Sequence, residues 1–205
     1  DEERKAYEES YGKEYDAYAT ELYTGGYKIY TSLDANLQKS LQDAVDKNMS
    51  KLAETTDKGI YAAQSAGTVI DNATGNVVAI VGGRSQDNIK TYSLNRAYRS
   101  YRQPGSSIKP ILVYTPALET GKYTPTSRVE DSPIKNGPQN YGNSYMGSVT
   151  LTQAVAYSLN TVAWNIFKEV KPAKGLQYLY KMHFARISKN DENLAAGIGG
   201  LTNGV

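Results

Sequence analysis

No cysteine occurs in the 205 residues, and His183 is the single histidine. Zinc sites built from Cys or paired His are therefore excluded within the chain. So are Cys–His catalysis and any Ser-His-Asp triad that does not use His183, which reads as a structural or exposed residue. Absence of Cys does not separate a reducing from an oxidising compartment. No apolar run approaches the roughly 18 residues that a bilayer-spanning helix needs. The chain opens on DEERKAYEES, which is no signal peptide, so a membrane anchor is expected outside it. Charge of one sign is also lacking. Lys and Arg total 23 against 21 Asp and Glu, a net +2 too balanced for binding by phosphate neutralisation. No Gly-x-Gly-x-x-Gly occurs either; Gly82-Gly83 ends a strand and is no dinucleotide loop.

What is present is tyrosine and glycine, 18 of each, in an otherwise ordinary globular mix. Tyr7, Tyr11, Tyr15, Tyr18 and Tyr23 recur near helical spacing and predict an arm docked by aromatic rings. Residues 25–34 alternate as a short strand, and Asp34 can cap a helix over 35–52 striped by Leu37, Leu41, Val45, Met49 and Leu52. Segments 62–71 and 76–83 flank Asn72-Ala73-Thr74-Gly75 as a hairpin. Its unalternating Val77–Val81 run predicts a strand buried on both faces, hence a sheet covered by helices on both sides. Residues 84–104 are a polar approach to a helix near Gly105 with an inner stripe Ile108, Ile111, Leu112, Thr115 and Leu118, bent by Pro110 and Pro116. Residues 119–149 read as loop. Thr150 and Gln153 form a capping box for a helix that breaks at Ser158-Leu159-Asn160 and stops by Pro172, and a further helix covers 173–182.

Two features bear on chemistry. Ser106 and Lys109 lie one helical turn apart on one face, at a helix start whose free N–H groups favour developing negative charge. A serine hydroxyl becomes a nucleophile when a neighbour takes its proton, and a neutral lysine can do so. The same spacing recurs at Ser10/Lys13 and Ser132/Lys135, but there no apolar helix follows, and an ordinary helix cap remains the alternative. Ser158 and Asn160 are polar residues within an apolar helix, which costs free energy unless they are satisfied. Either they line a cleft, or they make a helix–helix hydrogen bond or a bend.

RQPGSSIKP (Arg102 to Pro110) followed by YSLNTVAW (Tyr157 to Trp164) resembles a penicillin-binding protein transpeptidase domain. That family shares its serine acyl-enzyme architecture with class A β-lactamases. GGYKIYTSLDANLQKSLQDAV resembles the linker and entry strand of the bifunctional class A type, AGTVIDNATGNVVAIVGG its first sheet strands, and GGLTNGV the segment after the second motif. The resemblance covers about 25–205.

It implies an α+β fold: an antiparallel sheet covered by helices, with a helical subdomain. An arm and interdomain linker with one helix would occupy 1–52, and the N-terminal part of the transpeptidase domain 53–205. Ser106 would be the acylated nucleophile, Lys109 its base, Ser158 the relay to the leaving amine, and Asn160 the holder of a substrate amide and of Lys109. Leu159 stands where β-lactamases commonly carry Asp. Ser107, Asn140, Tyr141 and Tyr145 are expected to contact substrate, and Arg99 and Arg102 either steer an anionic stem peptide or line a solvated loop. The family's Lys-Thr/Ser-Gly motif does not occur in the chain. The rest of the domain, carrying that motif, is therefore expected as a second or cleaved polypeptide. The implied activity is D-alanyl-D-alanine transpeptidation of peptidoglycan stem peptides, without cofactor or metal, blocked covalently by β-lactams. A carboxypeptidase or β-lactamase-like hydrolase and a non-enzymatic β-lactam sensor or assembly module are the alternatives. An upstream glycosyltransferase domain, no nucleic acid, and the outer face of a bacterial membrane complete the expected setting.

Overall fold

A computed structural model describes residues 16–86 and 93–205. Tyr7, Tyr11 and Tyr15 of the expected arm lie outside the described residues, as do 87–92 of the polar approach. The chain divides into two compact units, one ending at Arg99 and the other spanning Ser100–Val205.

In the first unit, residues 16–24 are helical, but Tyr18 and Tyr23 are exposed, so these rings are not buried against the described residues. Residues 25–34 form no ladder, contrary to the expected strand. They are irregular, with Ser32 Oγ and the Asp34 N–H bonded to the Val77 and Val78 carbonyls. Helix α1 (Ala35–Met49) starts where Asp34 accepts from the Asn36 and Leu37 N–H groups. Hairpin strands β1 (Gly67–Ile70) and β2 (Val77–Val81) pair antiparallel, Thr68 opposite Ile80. Their turn is held by Asp71, whose carboxylate accepts from Ala73 N–H and the Thr74 hydroxyl. Burial along β2 alternates, with Ala79 and Val81 inside and Val78 and Ile80 on the opposite face only half-buried, so the strand is not fully buried on both faces. A strand turns successive side chains to opposite faces, and here one face finds fuller cover than the other. The Gln38 amide of α1 takes both the N–H and the C=O of Ile80, which occupies that strand edge with a side chain.

The second unit holds the core. A composite helix begins as a 3-10 turn (Gly105–Ile108), widens into a π-turn (Pro110–Tyr114) and ends as α2 (Thr115–Glu119). The prolines explain the changes, because each lacks the N–H that a regular helix would use. The Thr115 N–H reaches five residues back to the Pro110 carbonyl. The extra residue in that turn rotates the buried face. Val113, Tyr114 and Ala117 go inside with Ile108 and Leu112, whereas Thr115 and Leu118 of the expected stripe point out. Within the expected loop, β3 (Arg128–Asp131) and β4 (Gly147–Thr150) form a second antiparallel pair. These strands are too short, and too polar in Arg128 and Glu130, to announce themselves by alternation.

The Thr150–Gln153 capping box opens α3 (Leu151–Ala156) as expected, and α4 (Asn160–Val170) follows the break at Ser158. Helix α5 (Pro172–Lys181) takes Pro172 as its first residue, where the missing N–H costs nothing. His183 follows it, exposed, with φ 58°. Phe167, Leu112, Leu176, Leu179 and Leu201 are fully buried together. Among the described residues no helix is long and apolar enough to cross a membrane, and no cluster of potential metal ligands occurs.

Candidate active site

Lys109 is the largest fully buried side chain, 1% exposed. Four lysine methylenes are at home in the core, but a buried ammonium is costly unless every proton is met. Nζ has three partners: the Ser158 carbonyl at 2.7 Å, Ser158 Oγ at 3.1 Å and Asn160 Oδ1 at 2.6 Å. Burial pulls its pKa down from 10.5 to about 8. The neutral amine is thus a minor but appreciable fraction near physiological pH, far more than a solvated lysine offers.

Ser158 meets Lys109 through an uncommon backbone conformation. Its φ is 53°, in the left-handed region, where a non-glycine residue costs roughly 1–2 kcal/mol. Ser158 and Leu159 N–H close the end of α3 on the Val155 and Ala154 carbonyls. The chain then turns sharply into α4, and one residue presents both its carbonyl and its hydroxyl to the same amine. Strain of this kind gathers at functional sites.

Ser106 lies in the 3-10 turn, exposed, between Gly105 and the buried pair Ile108 and Lys109. The Lys109 N–H donates to the Ser106 carbonyl. The bed of this turn is the glycine-rich segment after α5. Gly199 (φ 95°) packs so closely that a Cβ there would come 2.2 Å from the Gly105 Cα. Arg102 and Val205 exchange backbone hydrogen bonds at 3.2 and 2.9 Å, and Gln103 Nε2 donates to the Leu201 carbonyl. Buried Asp191 ties the segment down by accepting from the Thr202 and Ser188 N–H groups, and its carboxyl sits below the usual carboxylate range. Burial alone would raise it, and the hydrogen bonds from Thr202 and Ser188 outweigh that. Sequence reasoning passed over this support; the run Gly197, Gly199, Gly200 was its signal, since glycine allows backbones to touch.

The structure therefore brings Lys109, Ser158 and Asn160 into direct contact. The other expected residues fall differently. The Ser107 hydroxyl donates to the Pro104 carbonyl at 2.7 Å, a local turn bond. Asn140 is 7% exposed, and both ends of its amide are engaged inside the protein. Nδ2 donates to Asp131 and the Ser144 carbonyl; Oδ1 accepts from the Asn160 and Thr161 N–H groups. Each donor and acceptor of this amide therefore already has a partner within the protein. Tyr141 is fully exposed, and Tyr145, half-buried, donates to Asn143 Oδ1. Asp131 and Thr161, both fully buried beneath the site, were not singled out from the sequence, where nothing distinguishes them from other polar residues.

An exposed serine at a helix start thus stands one turn from a buried lysine shared with a second serine and an asparagine, on an α+β fold. The chain belongs to the penicillin-binding protein family: residues 65–201 match the model of the penicillin binding protein transpeptidase domain. It is 37% identical over 196 residues to penicillin-binding protein 4 of Bacillus subtilis, across 94% of this chain and 29% of that one. To penicillin-binding protein 1A of Clostridium perfringens it is 37% identical over 174 residues, 77% of this chain and 25% of the other. The chain thus spans under a third of the length of these relatives. Among solved structures, penicillin-binding protein 1A from Haemophilus influenzae matches with TM-score 0.59 and 31% identity, over 69% of this chain and 22% of that one. The PonA1 protein from Mycobacterium tuberculosis, solved with penicillin V, matches with TM-score 0.69 over 91% of this chain and 50% of its own. At 21% identity, that second match is a likeness of fold. The fold is that of the β-lactamase/transpeptidase class, as the sequence resemblance implied.

Proposed function

We propose that the chain carries the nucleophile, base and relay of a serine-type D-alanyl-D-alanine transpeptidase that cross-links peptidoglycan stem peptides. The observation that carries this reading is the buried Lys109 amine with its three partners. The Ser158 carbonyl and Asn160 Oδ1 can only accept, so they hold two of its hydrogens whatever its charge. The third position can go either way. An ammonium donates there; a neutral amine offers a lone pair to a hydroxyl. Exchange of one proton between Lys109 and a serine hydroxyl therefore leaves the two fixed bonds intact.

In this scheme Ser106 Oγ attacks the carbonyl carbon of the penultimate D-alanine as its proton passes to neutral Lys109. A C–O bond forms, and negative charge develops on the carbonyl oxygen near the N–H groups of the helix start. The proton then passes by way of Ser158 to the leaving nitrogen, the C–N bond breaks and D-alanine departs. An amine from a second stem peptide attacks the ester, yields its proton along the same route in reverse, and frees Ser106. A β-lactam enters the first half of this cycle, and its ring opens without losing a fragment. Exposed Tyr141, directly after Asn140, offers an aromatic surface to substrate, with Tyr145 nearby in sequence. Neither cofactor nor metal enters the scheme. The setting that goes with it is the outer face of a bacterial membrane, with the anchor, an upstream glycosyltransferase domain and the remainder of the transpeptidase domain beyond these residues. That remainder would bring the Lys-Thr/Ser-Gly strand.

The test is labelling of the full-length protein with a fluorescent penicillin, followed by peptide mapping. A covalent adduct on Ser106, lost in Ser106→Ala and kept in Ser132→Ala, is expected. Label on Ser132, or none at all, would overturn the assignment. Transfer of the acyl group to water alone in the presence of an acceptor amine would favour a hydrolase.

A further inference from the structure

Helix α4 opens directly onto the site, yet its first turn lacks a cap of its own. Its N-cap residue is Leu159, whose side chain accepts nothing. The free N–H groups of a helix start ordinarily require an oxygen. Here the oxygen comes from 20 residues upstream: Asn140 Oδ1 accepts from Asn160 N–H at 2.7 Å and Thr161 N–H at 3.3 Å.

A side-chain amide can cap only if its oxygen faces the helix, and Asn140 has a near-symmetrical alternative with NH2 in that place. Asp131 works against the alternative, with the Ser144 carbonyl 3.1 Å from the same Nδ2 as a second acceptor. The Asp131 carboxylate, 0% exposed, lies 2.6 Å from Asn140 Nδ2, and a carboxylate can only accept. The NH2 must face Asp131, so the oxygen must face α4. Asp131 also accepts from the Thr161 hydroxyl and from Met146 N–H. Its donors are Thr161 of α4, Asn140 in the loop between β3 and β4, and Met146 in the segment entering β4, while Asp131 itself ends β3. No cation forms an ion pair with it among the described residues. A buried charge without a counter-ion is an expensive way to hold a fold together, whereas a charge that fixes the direction of a dipole has a use that a neutral residue lacks.

The consequence reaches Lys109 in one more step. Asn160 is clamped at its backbone N–H by Asn140 and at Nδ2 by the Gln139 carbonyl, 2.8 Å away. Its remaining oxygen points at Lys109 Nζ, 2.6 Å away. We propose that Asp131 and Asn140 are positioning residues: Asp131 sets the Asn140 amide, Asn140 sets the start of α4, and Asn160 thereby holds Lys109 where acyl transfer needs it. The catalytic half of this statement rests on the function proposed above; the positional half does not.

Two readouts in the full-length protein separate the halves. Crystal structures of Asp131→Asn, which keeps the shape but leaves only the Ser144 carbonyl as an obligatory acceptor for the amide at 140, and Asn140→Ala are expected to show Asn160 Oδ1 beyond hydrogen-bond reach of Lys109. A contact unchanged in both variants overturns the positioning role, with or without any enzymatic activity. Acylation by penicillin is then measured per folded molecule across penicillin concentrations. The rate at saturation is expected to fall about 100-fold, the scale of an ångström-sized misplacement, while the half-saturating concentration changes little. Tyr123→Phe, which cuts the bond from Tyr123 to Glu169 at the other end of α4, should leave that rate unaltered. Variants that melt lower but acylate at the wild-type rate would reduce Asp131 and Asn140 to structural residues. If the wild-type protein itself acquires no label at Ser106, the functional reading fails and the crystallographic comparison still decides the positioning.

Discussion

Up to Arg99 the described residues place only two apolar side chains fully inside, Ala79 and Val81, whereas Ser100–Val205 builds a core from its composite helix, α4, α5 and the glycine-rich segment. The first unit is held chiefly by polar contacts: a capping aspartate and an Asp71–Thr74 turn, both local, and Gln38, which bonds Ile80 far along the chain. The second adds a buried apolar core, and even a helix cap comes from a distance there, as Asn140 does for α4. The contrast teaches where a charged group can be retuned. Lys39 of α1 is an exposed lysine paired with Asp43 four residues on, while Lys109 lies under the packed elements of the second unit.

The comparison breaks most directly at Phe167, which is fully buried and touches the sites of Gly175 and Gly197. Phe167→Ala should cost about 3–5 kcal/mol in urea denaturation. A loss as small as that of a surface change would show that the second unit's core is not shared. Next in size is pH dependence. With Lys109 at about 8, acylation should rise roughly tenfold per unit up to that pH and then level off, as expected for a neutral base. A rate that is flat from pH 6 to 8 would remove the base role from Lys109. The same depressed pKa acts on stability with a definite sign. Between about 8 and the unfolded value of 10.5 the unfolded chain binds more protons than the folded one, so stability gains from this group as pH rises through that window.

Two glycine variants sharpen the contrast between local and distant support. Gly199→Ala adds a Cβ against the Gly105 backbone at positive φ and should destabilise by about 1–3 kcal/mol, slowing acylation because the Ser106 turn must shift. Gly75→Ala, at φ 75° with open space around it, carries conformational strain alone, about 1–2 kcal/mol, and should leave acylation intact. Equal effects on acylation would sever the link between the glycine-rich segment and Ser106. Smallest is Asp34→Ala, which removes a cap that accepts from two N–H groups, at about 1 kcal/mol by thermal melting. No measurable change would mean that α1 is held by its contacts with β2 and not by its cap.

The sequence by itself determined whatever depends on neighbours along the chain. Asp34 and the Thr150–Gln153 box announce helix starts, Asn72 to Gly75 announces a hairpin, and Pro110 predicts a distorted helix, because each acts on backbone within a few residues. The serine–lysine and serine–asparagine motifs were legible as spacing, and as a resemblance they named the family. Spacing could not choose among three serine–lysine pairs, nor reveal that Lys109 bonds Ser158 and Asn160 about fifty residues away. Nor could it show that the Asn140 amide is engaged inside the protein, since a polar residue in a loop looks available until its partners are known. It overlooked β3 and β4, where four residues carry too little alternation to read. Tertiary structure alone decided these points. Burial shifts the amine of Lys109, a carboxylate turns an amide, and glycine backbones meet only once segments far apart in sequence are packed together, since hydrogen bonding and desolvation depend on distance in space.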